Sequence, residues 1–235
     1  MKSKILCIIP ARKGSKRLKQ KNIKKIFGKP IIEYTIDAAI KSKLFSEIVV
    51  SSDIDQLERI TKKKSISFEN RKKKLAGENK GVVDVCLDLL KKNKYKTYDI
   101  LCVLYATAAL RTSKDIIFTY KKMKKNKNFS MAITPMGFNP YQSIQKNYKN
   151  YKLCFPNFVD KRIKADFFID NGSTYFAKVK SFKKEKSFYG KKIGFYEMPA
   201  DKSIDINTQE DFNKVKQIFK SKYKKILSLR KIRKL

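Results

Sequence analysis

Histidine is absent from this chain of 235 residues. That excludes a Ser-His-Asp or Cys-His mechanism, a histidine general base and any histidine metal ligand. Cysteine is scarce and scattered: Cys7, Cys86, Cys102 and Cys154 are far apart and form no C-x-x-C pair. Neither a disulfide framework nor a zinc site is expected, and Cys7 and Cys102 lie in apolar runs where a reduced thiol acts as a small hydrophobe. Long apolar runs are missing as well. None approaches the roughly 20 residues that span a bilayer, and residues 5–9 are too few for a signal-peptide core and precede no cleavage site. A cytoplasmic protein with no membrane partner is the expectation. The chain has no internal repeat and no G-x-x-x-x-G-K-[ST] phosphate loop. Acidic residues are few, 21 against 57 basic ones, for a formal charge of +36.

That charge admits nucleic-acid binding. The lysines, however, fall in helices, turns and tail alike, and no aromatic-interleaved basic motif accompanies them. A solvated basic surface that favours anionic substrates is the simpler reading, and nucleic acid is not the expected partner. The hydrophobic content of 42% supplies a core for one α/β domain with a small insertion.

Strand and helix patterns alternate. Residues 4–9 read as a buried strand, followed by a basic loop over 10–29. Pro30 then suits the first turn of a helix to about residue 41. A second apolar run, 48–51, ends at Ser52, which with Asp55 has the spacing of a capping box. Residues 66–68 form a short strand and 82–90 a helix. Residues 99–104 form another apolar strand, and Thr112 with Asp115 opens a helix to about 125. A strand over 129–134 follows. Apolar strands separated by helices predict an α/β fold with a mainly parallel, Rossmann-like sheet and helices on both faces. Prolines, Gly137 and scattered aromatics break the alternation over 136–166, which is set apart as an insert. The main domain is then 1–135 with 167–221. Strand-like runs return at 172–177 and 192–198, and Thr208 with Asp211 caps a final amphipathic helix to about 219. Residues 222–235 are expected to be a loosely held basic tail.

In an open α/β sheet, ligands bind beyond the carboxyl ends of the strands. The loop after the first strand reads Pro10-Ala11-Arg12-Lys13-Gly14-Ser15-Lys16-Arg17-Leu18-Lys19-Gln20-Lys21-Asn22. Its backbone amides and Gly14 permit close approach, while Arg12 and Lys21 neutralise charge, which suits a triphosphate. A merely solvated loop would explain the lysines but not this order of small, glycine and arginine residues after a buried strand.

The run Ile9-Pro10-Ala11-Arg12-x-Gly14-Ser15-Lys16-Arg17-x-x-x-Lys21-Asn22-Ile23, then Gly28-Lys29-Pro30, resembles the opening signature of the cytidylyltransferases that act on sialic and related nonulosonic acids. Further likenesses follow along the chain. Val49-Val50-Ser51-Ser52-Asp53 is similar to the family's second strand, and Asn70-Arg71 with Leu75-Ala76 to its base-holding segment. Tyr105-Ala106-Thr107-Ala108-Ala109-Leu110 and Asn139-Pro140-Tyr141-Gln142-Ser143 lean toward the pseudaminic-acid branch. Asp170-Asn171-Gly172-Ser173 carries the Asn-Gly of the neuraminate and legionaminate branches.

The resemblance implies a nucleotidyltransferase sheet and a transfer of CMP from CTP to an acidic nine-carbon sugar. It implies that Ala11, Arg12, Gly14, Ser15, Lys16, Lys21 and Asn22 hold triphosphate and ribose, with Arg12, Lys21 and Asp205 catalytic. Arg71, Tyr105 and Thr107 would border the base, and Tyr141, Gln142, Asn171 and Tyr175 the sugar. Ser203-Ile204-Asp205-Ile206-Asn207-Thr208 is similar to the family's metal segment, implying Mg2+ held by Asp205 and Asn207. Many relatives carry two aspartates there; this chain has Asn207. The insert resembles the family's dimerisation element, implying a homodimer. A nucleotidyltransferase for another sugar or nucleotide, and a nucleic-acid-binding protein on the same fold, remain as alternatives.

Overall fold

The computed structural model describes residues 3–232 apart from 78–79, 124–125, 149 and 159–164, and for 223–232 the backbone alone. In chain order the elements begin with β1 (Ile5–Ala11), the small pair β2 (Lys25–Ile26) and β3 (Lys29–Pro30), α1 (Ile31–Ser42), β4 (Glu47–Ser52), α2 (Gln56–Lys63) and β5 (Ser67–Asn70). Next come α3 (Lys73–Ala76), α4 (Val82–Leu89), β6 (Ile100–Leu104), α5 (Ser113–Lys121) and β7 (Phe129–Pro135). The hairpin β8 (Ile144–Asn147) and β9 (Asn150–Leu153), then β10 (Phe168–Lys178), α6 (Val179–Glu185), β11 (Ile193–Glu197) and α7 (Gln209–Ile232) complete the chain.

Seven strands form the main sheet in the order β11-β7-β10-β6-β1-β4-β5. All pairings are parallel except those of β10, which runs antiparallel to β6 and to β7. The fold is therefore α/β with a mainly parallel sheet, as the apolar runs predict. Strands β1 and β6 are buried almost throughout because helices cover both faces. Alternate residues of β1 face opposite sides. Leu6 and Ile8 pack with Val85 and Leu89 of α4 and Phe182 of α6. Cys7 and Ile9 pack with Ile32 and Ile36 of α1, Leu57 of α2 and Ile116 of α5. A third cluster, including Leu18, Ile26, Leu110, Ile206 and Phe212, ties the basic loop to the start of α7.

Three local expectations need correction. Ser52 and Asp55 form no capping box: Ser52 is still paired with Asn70 in the sheet, and its Oγ accepts from the Ile54 amide at 3.0 Å. Helix α2 starts at Gln56 without a side-chain cap. Helix α5 stops at Lys121, ahead of the expected end near residue 125, which lies outside the described residues. Helix α7 instead continues to Ile232, so the backbone of the expected tail is helical as far as that residue.

The Thr112–Asp115 capping box is formed, and it reaches beyond its own helix. Asp115 Oδ2 accepts from the Thr112 amide at 2.8 Å, while Oδ1 accepts from the Tyr196 hydroxyl at 3.0 Å and lies 3.5 Å from Lys202 Nζ. Burial pushes this carboxyl's pKa up, but the bonds from Thr112 and Tyr196 and the charge of Lys202 outweigh it and hold it below the ordinary value. A depressed carboxylate contributes stability above its unfolded pKa, about 3.9, and loses it as pH falls through the folded value. Asp115→Asn is expected to cost about 1–3 kcal/mol at pH 7 and to flatten the acid limb of the stability curve. Urea midpoints at pH 7 and pH 3 for both proteins check this; equal midpoints at pH 7 would contradict it.

Candidate active site

After β1 the chain builds β4 and β5 on one side, then returns to place β6 on the other. The switch point thus lies between β1 and β6, where strand ends diverge and leave a crevice. The loop leaving β1 is pinned over that crevice. The Lys13 amide donates to Asp53 Oδ1 at 2.8 Å, and Asn22 Nδ2 donates to the Arg12 carbonyl at 3.0 Å. Buried Leu18 anchors the middle of the loop, and the β2–β3 ladder closes it.

Three adjoining cavities make one cleft. The first is lined by Arg12, Ser15, Lys16, Arg17, Lys21 and Asn207. The second shares Arg12, Arg17, Lys21 and Asn207, and adds Arg71 with the Tyr105–Thr107 turn. The third, of about 450 Å³, is lined by Tyr105, Asn171, Tyr175, Tyr189, Ser203 and Asp205 among others, and meets the second across Tyr105 and Asp205.

The segment before α7 crosses this junction. The Ile206 amide donates to the Thr107 carbonyl at 3.3 Å and the Ile206 side chain is buried. Alternation along extended backbone then sends Asp205 and Asn207 to the cleft. Asn207 Oδ1 accepts from Arg17 Nη2 at 2.9 Å and from Lys21 Nζ at 3.0 Å, and its Nδ2 donates to Asp205 Oδ2 at 2.6 Å. The amide orientation follows from its partners, since cations only donate and a carboxylate only accepts. Asp205 Oδ1 is buried without a hydrogen-bond partner. A buried, unpartnered carboxylate oxygen on a residue that lines the cleft fits a cation bound from the cleft side. Among the described residues no cluster of three or more Asp, Glu, Cys or His could hold a metal alone. The set suits magnesium, which is commonly held by one or two carboxylates plus substrate phosphates.

Electrostatics separates the two ends. At the loop, burial lowers the pKa of Lys21, Asp205 partly restores it, and Arg17 and Arg12 lower it further. Among the described residues no carboxylate forms a salt bridge with Arg12, Arg17 or Lys21, so an anion at this end is favoured. Arg71 is also buried, bonded through Nη2 to the Ser51 carbonyl at 2.9 Å, and burial lowers its pKa.

The other end is built by a bulge in β10. Asp170 pairs with Ile133 and Tyr175 with Met131, so the segment between them is longer on β10 than on β7 and loops into the cleft. Gly172 makes this loop feasible: its φ is +63°, and a Cβ there would sit 3.4 Å from the Asp205 carboxyl. Asn171 Nδ2 donates to Ser203 Oγ at 3.1 Å. Asp170 accepts from the Gly172 amide at 3.0 Å, from the Tyr175 hydroxyl at 2.7 Å and from the Tyr189 hydroxyl. Burial, then Asp170, raises Tyr175, and the same causes push Tyr105 up to about 12. Both phenols therefore remain neutral donors near pH 7.

Of the residues expected from sequence, the fold brings Arg12, Ser15, Lys16, Lys21, Asn22, Arg71, Tyr105, Thr107, Asn171, Tyr175, Asp205 and Asn207 to this cleft. Ala11 ends β1 and Gly14 sits in the exposed part of the loop. Tyr141 and Gln142 stand elsewhere, on a turn of the insert, with the Tyr141 ring 5.0–5.4 Å from the rings of Phe155, Phe158 and Phe167. Arg17, Asp170 and Tyr189 were given no role from sequence. Arg17 lies inside the loop motif and was within reach; Tyr189 comes from an ordinary α6–β11 loop that carries no signal.

A cation-lined pocket at the switch point of a parallel sheet, open across one carboxylate to a second pocket, is the layout of a nucleotidyltransferase. The chain belongs to the cytidylyltransferase family, whose sequence model matches residues 6–234. It is 32% identical to the pseudaminic acid cytidylyltransferase of Campylobacter jejuni, over 92% of this chain and 97% of that one. It is 27% identical to the N-acylneuraminate cytidylyltransferase of Escherichia coli, over 90% of this chain and 51% of the other. Among solved structures, CMP:2-keto-3-deoxy-manno-octonic acid synthetase complexed with CTP shares the fold, with a TM-score of 0.68 at 17% identity, covering 94% of this chain and all (100%) of that one.

Removing a loop cation tests this site directly. Arg12→Ala and Lys21→Ala are each expected to lower kcat/KM by roughly 10²-fold, the scale of losing one preorganised charge at a reacting phosphoryl group. Their urea midpoints should not fall, because crowding of like charge is relieved. Near-wild-type turnover in both variants would move the phosphate site elsewhere.

Proposed function

We propose that this protein couples CTP to a nonulosonic acid of the sialic, pseudaminic or legionaminic type, giving the CMP-sugar and pyrophosphate. The continuous cleft carries this reading: a cationic end for the triphosphate meets a tyrosine- and amide-lined end across Asp205. The activities for which the Campylobacter jejuni and Escherichia coli relatives are named support the same pair of substrates. Likeness of Tyr105–Leu110 and Asn139–Ser143 to the pseudaminic branch favours that acid first.

In this reading the anomeric hydroxyl oxygen of the sugar acid attacks the α-phosphorus. A new phosphorus–oxygen bond forms, the bond to the bridging oxygen breaks, and pyrophosphate leaves with its electron pair. The hydroxyl proton passes to a nearby carboxylate, to a lysine or to water, since the chain has no histidine to take it. Arg12, Arg17 and Lys21 bind the phosphates, while Arg71 and the Tyr105–Thr107 turn border the base. Asn171 and Tyr175 orient the sugar by neutral hydrogen bonds. Asp205 would hold Mg2+ together with the substrate phosphates, and the ion would supply charge neutralisation and orientation. We place the enzyme in the cytoplasm, where CTP is made; among the described residues no helix is long and apolar enough to cross a membrane.

A homodimer belongs to this proposal. Among the described residues the β8–β9 hairpin pairs only with itself, and Ile144, Tyr148, Tyr151 and Leu153 around it are exposed. A lone two-stranded hairpin is marginal in water, so a second copy is the natural cover, and it would carry Tyr141 and Gln142 toward its partner's cleft.

Two measurements bear on the reading. With a cognate sugar acid, pyrophosphate release should need CTP and be slower by orders of magnitude with UTP, ATP or GTP, because a polar site matched to one base leaves groups unpaired with another. Equal rates with UTP would refute the cytidylyl assignment. The second concerns Asn207. Its oxygen is already engaged by Arg17 and Lys21, so metal affinity in the free protein rests on one carboxylate. Asp205→Asn should nearly abolish turnover, and Asn207→Asp should lower the magnesium concentration for half-maximal rate. Binding of Mn2+ to the nucleotide-free proteins, read by its spin-resonance signal, should tighten in the same order; a fully active Asp205→Asn would rule this metal site out.

A further inference from the structure

One buried cation near the cleft lines none of its three cavities. Arg111 is 3% exposed, at the end of the turn that follows β6, and among the described residues no carboxylate is bonded to it. Oxygens of three separate elements solvate it instead. Nη1 donates to the Ser173 carbonyl in the β10 bulge at 2.6 Å. Nη2 donates to Thr35 Oγ1 on α1 at 2.9 Å, and both terminal nitrogens lie 3.4 Å from the Tyr105 carbonyl. Nε is buried without a partner. Burial lowers its pKa to about 10, which leaves it charged at neutral pH.

A buried, unpaired guanidinium is a costly fastener, since desolvating an ion takes several kcal/mol that neutral oxygens return only in part. What it fastens is specific. Tyr105 borders both the base cavity and the sugar cavity. Ser173 follows Gly172, where a Cβ would meet the Asp205 carboxyl at 3.4 Å, and lies in β10 just before Tyr175. The Tyr105 amide also donates to the Ser173 carbonyl at 3.2 Å, so guanidinium and amide grip one oxygen from two sides. Thr35 Oγ1 lies 3.3 Å from the Ala106 carbonyl and extends the tie to the next residue of the turn. The two substrate-binding halves come from residues far apart in sequence, and this guanidinium bonds to both of them and to α1.

We infer that Arg111 is a positioning residue for the transfer, locking the nucleotide-side turn and the sugar-side bulge into one frame so that hydroxyl and α-phosphorus meet in line. The inference rests on the two-substrate reading above. In-line transfer depends steeply on such placement, and about 1 Å of error costs on the order of 10²-fold in rate. Lysine at this position keeps the charge but cannot reach three oxygens with a planar fork.

The test is the split between kcat and KM. In Arg111→Lys, kcat is expected to fall about 10²-fold, while KM for CTP and for the sugar acid each stay within a few fold, because each half-site keeps its own contacts. Both are scaled to the fraction of protein that binds CTP at equilibrium. In Arg111→Ala, added guanidinium at non-denaturing concentration should restore part of kcat, and methylammonium should not. The inference is overturned if Arg111→Lys keeps wild-type kcat, or if the rate falls only in proportion to the CTP-binding fraction. It is equally overturned if neither variant folds, since Arg111 would then serve folding alone. A sugar acid that the wild type consumes is used throughout. A silent wild type counts against the substrate assignment; an active variant counts against Arg111.

Discussion

Positive charge held together without its own counter-ions is the constraint around which the carboxyl end of the sheet is arranged. Arg12, Arg17 and Lys21 converge on one pocket. The molecule holds them with dipoles more than with acids: the Asn207 carbonyl accepts from two of the three, and its amide passes the link to Asp205. A second carboxylate at position 207 would neutralise the pocket more fully in the free protein, and would set two like charges in contact. With asparagine the free protein retains a larger share of its positive potential. That potential adds to the overall charge of +36 and attracts a triphosphate.

Across Asp205 the chemistry changes character. The sugar-side cavity offers phenols, amides and hydroxyls, and Asp170 is occupied by two tyrosine hydroxyls and a backbone amide. Those phenols, with pKa values raised by burial and by the adjacent carboxylate, keep their protons and act as donors of fixed sense. One half of the cleft thus selects by charge and the other by hydrogen-bond direction. Space at their junction is limited: a Cβ at position 172 would meet the Asp205 carboxyl at 3.4 Å.

Much of this was legible in the sequence. Strands β1, β4 and β6 announce themselves as apolar runs because helices bury both their faces, and the loop motif after β1 marks the residues that line the cationic pocket. The Thr112–Asp115 and Thr208–Asp211 boxes were readable from spacing alone. Ser52–Asp55 has the same spacing and fails because strand pairing claims Ser52 first, a competition that local sequence does not record. The reversal of β10 was invisible, since a buried strand has the same composition in either direction. So was the Tyr189–Asp170 bond, which joins a plain loop to a bulge. Arg111 was hidden in a different way: an arginine in a basic chain reads as surface until the fold closes over it.

The place of β10 also governs the order in which the molecule can be assembled. It lies between β6 and β7, yet it follows both in the chain and pairs Tyr175 with Val103 and with Met131. Until residues 168–178 leave the ribosome, β6 has an unpaired edge and β7 has no neighbour through which to join the sheet. The first three parallel strands, β1, β4 and β5, come from residues 5–70 and need nothing later to pair with one another. Synthesis therefore yields the scaffold of the cationic end early and withholds the tyrosine-lined end until late, with contacts of long sequence separation that are slow to form. An interrupted chain ending before β10 would expose the β6 edge, and with it a template for aggregation.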